Sequence, residues 1–437
     1  MSLRRNTLWN LAGTGLPFLL GALTIPYLLK KIGVEAFGVL TLVWALVGYF
    51  SLFDFGLGRA LTQQVASARS TGLLSDLPSL VKTGLWFTAG TGVIGGLALA
   101  ALSNLLAQRW LNVSVALQPS TVQALLIAAL GIPLTTVTTG LRGILEAYED
   151  FRIVNLLRIV LGTANFGLPA LSAMFIGDSL AWMVAGLIAV RVLVLFGHAW
   201  SVHRKLPAGW ISAGFSPQKM RGLLSFGAWM TVSNIIGPLM VTADRFVISA
   251  VLGASFVAYY TVPSEMLTRV LILPGAVTAA LFPRLASILT SDPDGANALY
   301  RRCIALVSSV MAPLCLLIAA CSYWGLTLWL GRDFADHSWS IVVVMAVGIL
   351  LNGVAFVPFA AIQAAGHAHM TAKIHAVELM IYLPLLVFSL HQIGLLGAAM
   401  VWTARVGADL IALLIFARRY GFDAAYTVPN AGTSRAR

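Results

Sequence analysis

The chain has 437 residues, 59% of them hydrophobic and only 10% charged, with a mean hydropathy of +0.88. Soluble domains carry about 25% charged residues, so this composition excludes an ordinary soluble protein and predicts an all-α polytopic membrane protein. The net charge is +12, but no basic stripe with interleaved aromatics stands outside the apolar runs, which excludes a nucleic-acid partner.

The N-terminal MSLRR leads into a long apolar run that holds prolines and lacks a small-residue cleavage site. It reads as a retained first helix rather than a signal peptide. A helical span needs about 20 apolar residues. Twelve runs qualify: 7–29, 37–58, 83–104, 120–141, 153–176, 181–201, 224–250, 256–282, 302–329, 339–364, 371–391 and 395–417. The first holds Gly13, Gly15, Pro17, Gly21 and Pro26, which predicts a bent helix. Gly177-Asp178 forms a tight turn between the fifth and sixth runs, and Leu252-Gly253-Ala254-Ser255 separates the seventh from the eighth. Cys303, Cys315 and Cys321 lie in or at the ninth run without CxxC spacing and read as free thiols. His367, His369 and His375 read as a solvated loop and helix end rather than a metal site.

Lys and Arg between the runs are asymmetric. Eighteen fall on the N-terminal side of the membrane, and only Lys30, Lys31, Arg109 and Arg332 on the other. Basic loops stay inside, so both termini are expected to be cytoplasmic. The longest connection divides the chain into a six-helix lobe at 1–202, a cytoplasmic linker at 203–223, a second six-helix lobe at 224–417 and a cytoplasmic tail at 418–437. The lobes read as a repeat. A shift of 220 superposes Trp9 on Trp229, Gly33 on Gly253 and Thr41 on Thr261, and a shift of 214 superposes Arg191-Val192 on Arg405-Val406. Parallel repeats of this kind place a substrate at the repeat interface and alternate access by rocking the halves.

Six arginines and five acids lie inside the runs. Asp54, Arg59 and Arg158 are near helix ends, where snorkelling to the interface accounts for them. The deeper groups are functional candidates, because a charge at hydrocarbon depth is costly to keep. Arg191, Arg245, Arg269 and Arg405 are the candidate substrate-binding residues; Asp244, Glu265, Glu378 and Asp409 are the candidate ion-coupling residues. Glu265 and Arg269, and Arg405 and Asp409, stand four apart, so each pair is expected to meet on one helix face. Asp244 and Arg245 point about 100° apart. Arg191 has no acid near it in its own run, which suits an anion with bidentate oxygens such as a phosphate. The sequence has no GxxxxGK[ST] loop and no HExxH, which argues against direct ATP drive and zinc hydrolysis. No cofactor or metal is expected.

The opening RNTLWNLAGTGLPFLLGALTIPYLLKKIGVEAFGVLTLVWALVGYFSLFDFGLGRAL, with ADRFVIS, LGASFVAYYT and LFPRLAS in the second half, resembles bacterial polysaccharide biosynthesis proteins of the O-antigen flippase type. These belong to the multidrug/oligosaccharidyl-lipid/polysaccharide exporter superfamily. The resemblance implies two six-helix lobes in a V around a cationic cavity. It implies an inner-membrane flippase, not an enzyme, that moves an undecaprenyl-pyrophosphate-linked oligosaccharide outward by alternating access coupled to H+ or Na+. A polysaccharide polymerase and a chain-length regulator are partners it would imply. The rival on the same fold is a cation-coupled multidrug antiporter. A membrane-embedded glycosyltransferase or polymerase would want a large acidic extramembrane loop, which the sequence lacks.

Overall fold

The computed structural model describes residues 3–50, 57–70, 74–207, 209–289 and 291–422. Among them there are thirteen α-helices and no strand. Backbone satisfied within each segment is what a hydrocarbon surround demands. Eight of the described helices are long and apolar enough to cross a membrane. Large side chains such as Leu97, Leu193, Leu316, Leu328 and Phe388 stand exposed on them, as on a surface solvated by lipid. Contacts divide the chain into two compact units, Met1–Tyr259 and Tyr260–Arg437.

The first unit starts with α1 (Leu3–Phe50), which covers the first predicted run and most of the second. Its one non-helical residue is Gly33, with φ 83° and ψ 164°. This break falls in the gap between the first and second predicted runs, and Pro17 and Pro26 stand inside the helical stretch before it. A residue with a Cβ would be strained at that φ. α2 (Leu57–Ser70), α3 (Leu77–Leu105), α4 (Gln118–Ala147), α5 (Phe151–Phe175), α6 (Leu180–His203) and α7 (Pro217–Leu252) follow. α7 ends at Gly253, with φ 107° and ψ 158°, nearly the conformation of Gly33. The two glycines superposed by the 220-residue shift thus make the same turn. The reason is shared: a sharp reversal between two apolar runs needs a residue free to take positive φ.

Small residues bring these helices together. Gly92 and Gly96 of α3 face Pro133, Thr136 and Ala129 of α4, and Gly143 of α4 faces Gly58 of α2. Close backbone approach is how helices associate where no hydrophobic force separates lipid from protein. At one end of the unit Ser114 N–H donates to Glu35 Oε1 at 2.7 Å, Ala254 N–H to Asn112 O at 3.4 Å, and Lys31 lies 3.6 Å from Asp178. The other end holds the basic contacts. Arg69 donates to Ala147 O, Lys205 pairs with Asp150 at 2.8 Å, and Lys219 pairs with Asp76 at 2.9 Å.

The second unit continues from α8 (Ala254–Thr268) through a 3₁₀ turn at Arg269–Leu271 into α9 (Ile272–Ile288). The single run predicted at 256–282 is therefore interrupted. α10 (Pro293–Leu330), α11 (Arg332–Ala364), α12 (Ala368–Ile393) and α13 (Leu395–Arg419) complete it. α11 lies against α9, α10 and α13, and α12 lies against α13. The three cysteines are free, as expected from their spacing. Gly348 of α11 abuts the indole of Trp402 on α13. Adding one methyl there, by Gly348→Ala, is expected to cost about 1–3 kcal/mol because the ring has to shift. The thermal midpoint of the purified protein in detergent checks it, and an unchanged midpoint counts against this packing.

Candidate functional site

The charged side chains that the sequence placed inside the runs have very different surroundings. Asp54 lies outside the described residues, as does the side chain of Arg59, while Arg158 is exposed on α5. Asp244 and Arg245 are both buried on α7, and the Arg245 backbone N–H donates to Asp244 Oδ1 at 2.8 Å. Glu265 is half-buried on α8, but Arg269 is exposed where that helix gives way to the 3₁₀ turn. No ion pair joins Arg269 to Glu265 among the described residues, so the pairing expected from their spacing is not formed. The physical reason is local: a change of helix type at Arg269 alters the rotation that a four-residue spacing assumes.

Arg191 stands half-buried on α6, and its Nη1 donates back to Leu187 O at 3.2 Å. It forms no ion pair among the described residues. Its stem passes beside Gly131 of α4. A guanidinium has five N–H donors, so the contact with its own helix leaves several for a ligand.

The structure does assemble one cluster, on the facing sides of α12 and α13. His375, Glu378 and Tyr382 are spaced i, i+3, i+7 on α12, and Arg405 and Asp409 are four apart on α13. Arg405 Nη1 lies 3.6 Å from Glu378 Oε2, and its guanidinium sits 5.4 Å from the centre of the Tyr382 ring. Asp409 Oδ1 lies 3.7 Å from His375 Nε2. The side chains of Arg405, Glu378 and Asp409 are 12%, 11% and 13% exposed. The Arg405–Asp409 pairing expected along α13 is thus replaced by two cross-helix pairs. Orientation contributes: an acid N-terminal to a base at i,i+4 is the better order, and here the order is reversed.

These separations exceed normal hydrogen-bond lengths. Both Glu378 oxygens, Arg405 Nε and Asp409 Oδ1 are buried without a hydrogen-bond partner at normal geometry. One ligand atom from each of His375, Glu378 and Asp409 lies within 4.8 Å of the others. Two carboxylates against one guanidinium leave one negative charge, so a proton on the cluster or one monovalent cation between the acids balances it. Buried polar groups of this kind are costly until satisfied. Oxygen donors with one imidazole suit a proton or a small hard cation.

The cluster opens on a cleft within the second unit. Phe282, Phe356 and Phe359 supply its apolar walls, and Asn352, His375 and Asp409 its polar points. The Phe359 ring stacks on His375 with centroids 5.7 Å apart. His375 is therefore not part of a solvated loop, as its neighbours in sequence suggested. The signal for it was present in the His375–Glu378 spacing, which sets both on the α12 face turned toward Arg405.

Comparison with known proteins places this geometry in a family setting. Residues 31–339 match the family described as polysaccharide biosynthesis protein. A Shigella flexneri protein named as an O-antigen transporter is 35% identical over 416 residues, covering 94% of this chain and 97% of its own. In fold, the chain is similar to an inward-facing multidrug resistance transporter, with a TM-score of 0.78 and 14% identity over 96% of this chain and 95% of that one. It is also similar to the lipid II flippase MurJ in an inward closed conformation, with a TM-score of 0.71 and 14% identity over 94% of this chain and 87% of that one.

Proposed function

The chain belongs to the polysaccharide biosynthesis protein family, and we propose that it flips an undecaprenyl-pyrophosphate-linked oligosaccharide from the cytoplasmic to the periplasmic leaflet of the bacterial inner membrane. The named relatives are transporters rather than enzymes. The observation that carries the reading is the relationship along nearly the whole chain to a protein named as an O-antigen transporter. In this reading the two six-helix lobes, 1–202 and 224–417, rock about the 203–223 linker, with the 418–437 tail and both termini in the cytoplasm. The matched turns at Gly33 and Gly253 support the repeat.

Two sites divide the work. Arg191 and Arg245 offer positive charge to the pyrophosphate, with Arg269 at the helix break as an outer contact. Asp244, Glu265, Glu378 and Asp409 are the coupling acids, and the His375–Glu378–Arg405–Asp409 cluster takes up the H+ or Na+. Binding of that cation biases one of the two access states, since a ligand shifts an equilibrium only by its differential affinity. Arg405 serves as the fixed countercharge of the cluster more than as a substrate ligand. A polymerase and chain-length regulator would receive the flipped substrate.

A second reading is cation-coupled drug export. The aromatic cleft with Asp409 at its edge favours it, because a cationic amphiphile fits such walls. Expression in a strain lacking its own oligosaccharide flippase separates the two. Restored surface polymer that depends on the H+ or Na+ gradient is the expected result, with Asp409→Asn abolishing the restoration. Accumulation of the lipid-linked precursor on the inner leaflet, with a gain in drug resistance, would establish the antiporter instead.

A further inference from the structure

A groove in the first unit lies outside the transport machinery. α3 and α6 both pack against α4. The groove between them is closed at one end by the connector that follows α6. Its lining changes character with depth. Lys82, His203, Trp210 and Ile211 form the rim at the connector. Ala89 on α3 and Phe196 on α6 are each seven residues further along, about 10 Å deeper at 1.5 Å per residue. Between rim and floor stand Trp86 and Trp200, each 62% exposed.

The rim is cationic and its donors are held in place. Lys82 Nζ donates to Ile211 O at 2.6 Å and keeps two further N–H groups. Trp210 Nε1 donates to His203 Nδ1 at 3.1 Å, so the neutral imidazole carries its proton on Nε2 as another donor. The Arg204 guanidinium, beside the rim and outside the lining itself, lies over the ring of the lining residue Trp200 at 5.1 Å. No acid lines the groove. Asp76 and Asp150, acids on the same end of the unit, are engaged by Lys219 and Lys205.

We propose that this groove holds one anionic phospholipid, its phosphate diester at Lys82, His203 and Arg204 and an acyl chain along Trp86 and Phe196. Both halves of the lining require the occupant to be amphipathic. A free phosphate would satisfy the cations and leave the apolar floor uncovered. A net-neutral lipid would cover the floor and leave the rim charge uncompensated. Tryptophans at the depth of the headgroups are the usual anchors, and basic pockets between helices on the cytoplasmic side suit anionic headgroups. Through Lys82 and Ile211 the lipid would hold the α6–α7 connector against α3.

Native mass spectrometry of the full chain in detergent, titrated with phosphatidylglycerol, tests this. A cation within reach of the headgroup is worth roughly fivefold in affinity, so the K82Q/R204Q double variant, which removes the rim lysine and the arginine beside it, should bind about 25-fold more weakly than the parent. K82R/R204K should bind like the parent. Phosphatidylcholine of the same acyl chains should bind the parent at the double variant's level, and glycerol phosphate alone should not bind. Equal affinity of the parent and K82Q/R204Q for phosphatidylglycerol would overturn the proposal. So would equal binding of phosphatidylcholine, binding of glycerol phosphate as strong as that of the lipid, or a dimer mass in place of the adduct. If the double variant does not fold, Arg204→Gln, which removes no hydrogen bond seen here, carries the test with about a fivefold loss.

Discussion

Arg405→Ala is expected to destabilise the protein by roughly 3–5 kcal/mol, the usual result of removing one partner from a buried charged network. Arg405 is the only cation by charge type within a cluster that also holds Glu378, Asp409 and His375, among the described residues. Taking it away leaves two carboxylates at 11% and 13% exposure, with the His375 imidazole as the group beside them in the cluster. The double change Glu378→Gln/Arg405→Ala should recover a large part of the loss, because it removes the charge that the guanidinium balanced. The coupling between the two changes, read from melting in detergent as a double-mutant cycle, should fall within about 0.5–3 kcal/mol. A single variant as stable as the parent, or additive losses, would mean that water already solvates the cluster and that the cross-helix pair contributes nothing.

Arg191→Ala should behave in the opposite way. Among the described residues its guanidinium donates to Leu187 O of its own helix and pairs with no acid, so no described buried acid is orphaned by the change. Stability should stay within about 0.5 kcal/mol, as for substitutions that break no named interaction. Export of polymer, by contrast, should fall steeply. A unit charge at about 4 Å in surroundings of effective dielectric near 20 is worth about 4 kcal/mol. Applied to the barrier for carrying a pyrophosphate through the membrane, that is about a thousandfold in rate. Arg191→Lys should restore part of it, since the charge returns without the bidentate fork. Polymer yield in a complemented strain, normalised to membrane protein level, gives the measurement. Full export by the Ala variant would remove Arg191 from the substrate path.

Together these variants separate two kinds of intramembrane arginine that look alike in sequence. Arg191 and Arg405 are superposed by the 214-residue shift, and both lie in apolar runs. In the structure one is without an ion pair among the described residues and the other sits between an acid and an aromatic ring. Loss of function with fold intact marks the first kind; loss of fold, rescued by neutralising the partner, marks the second.

What the sequence by itself determined is the solvent, the elements and the turns. A composition of 59% hydrophobic and 10% charged residues dictates a membrane surround. There each helix satisfies its own backbone, so the apolar runs could be read as helical segments, though not their exact number: thirteen helices are described, eight of them long and apolar enough to span. Gly253 was legible as a turn because a break between two oily runs asks for glycine, and the 220-residue shift matched Gly33 to it; the structure gives both a positive φ. The sequence also told which charges lie inside the runs, since a polar residue among apolar ones is a local fact. Only the tertiary structure decided which of them meet. Glu378 and Asp409 are thirty-one positions apart, and their encounter depends on how α12 rotates against α13, a packing choice with no local signature. The change of helix type at Arg269–Leu271, which exposes the arginine, did have a local signal, since Pro274 has no N–H to give Val270 O. His375 turned from loop neighbour to cluster member because of how α12 rotates against α13. Periodicity fixes the face a side chain occupies, while the identity of what that face touches belongs to the fold.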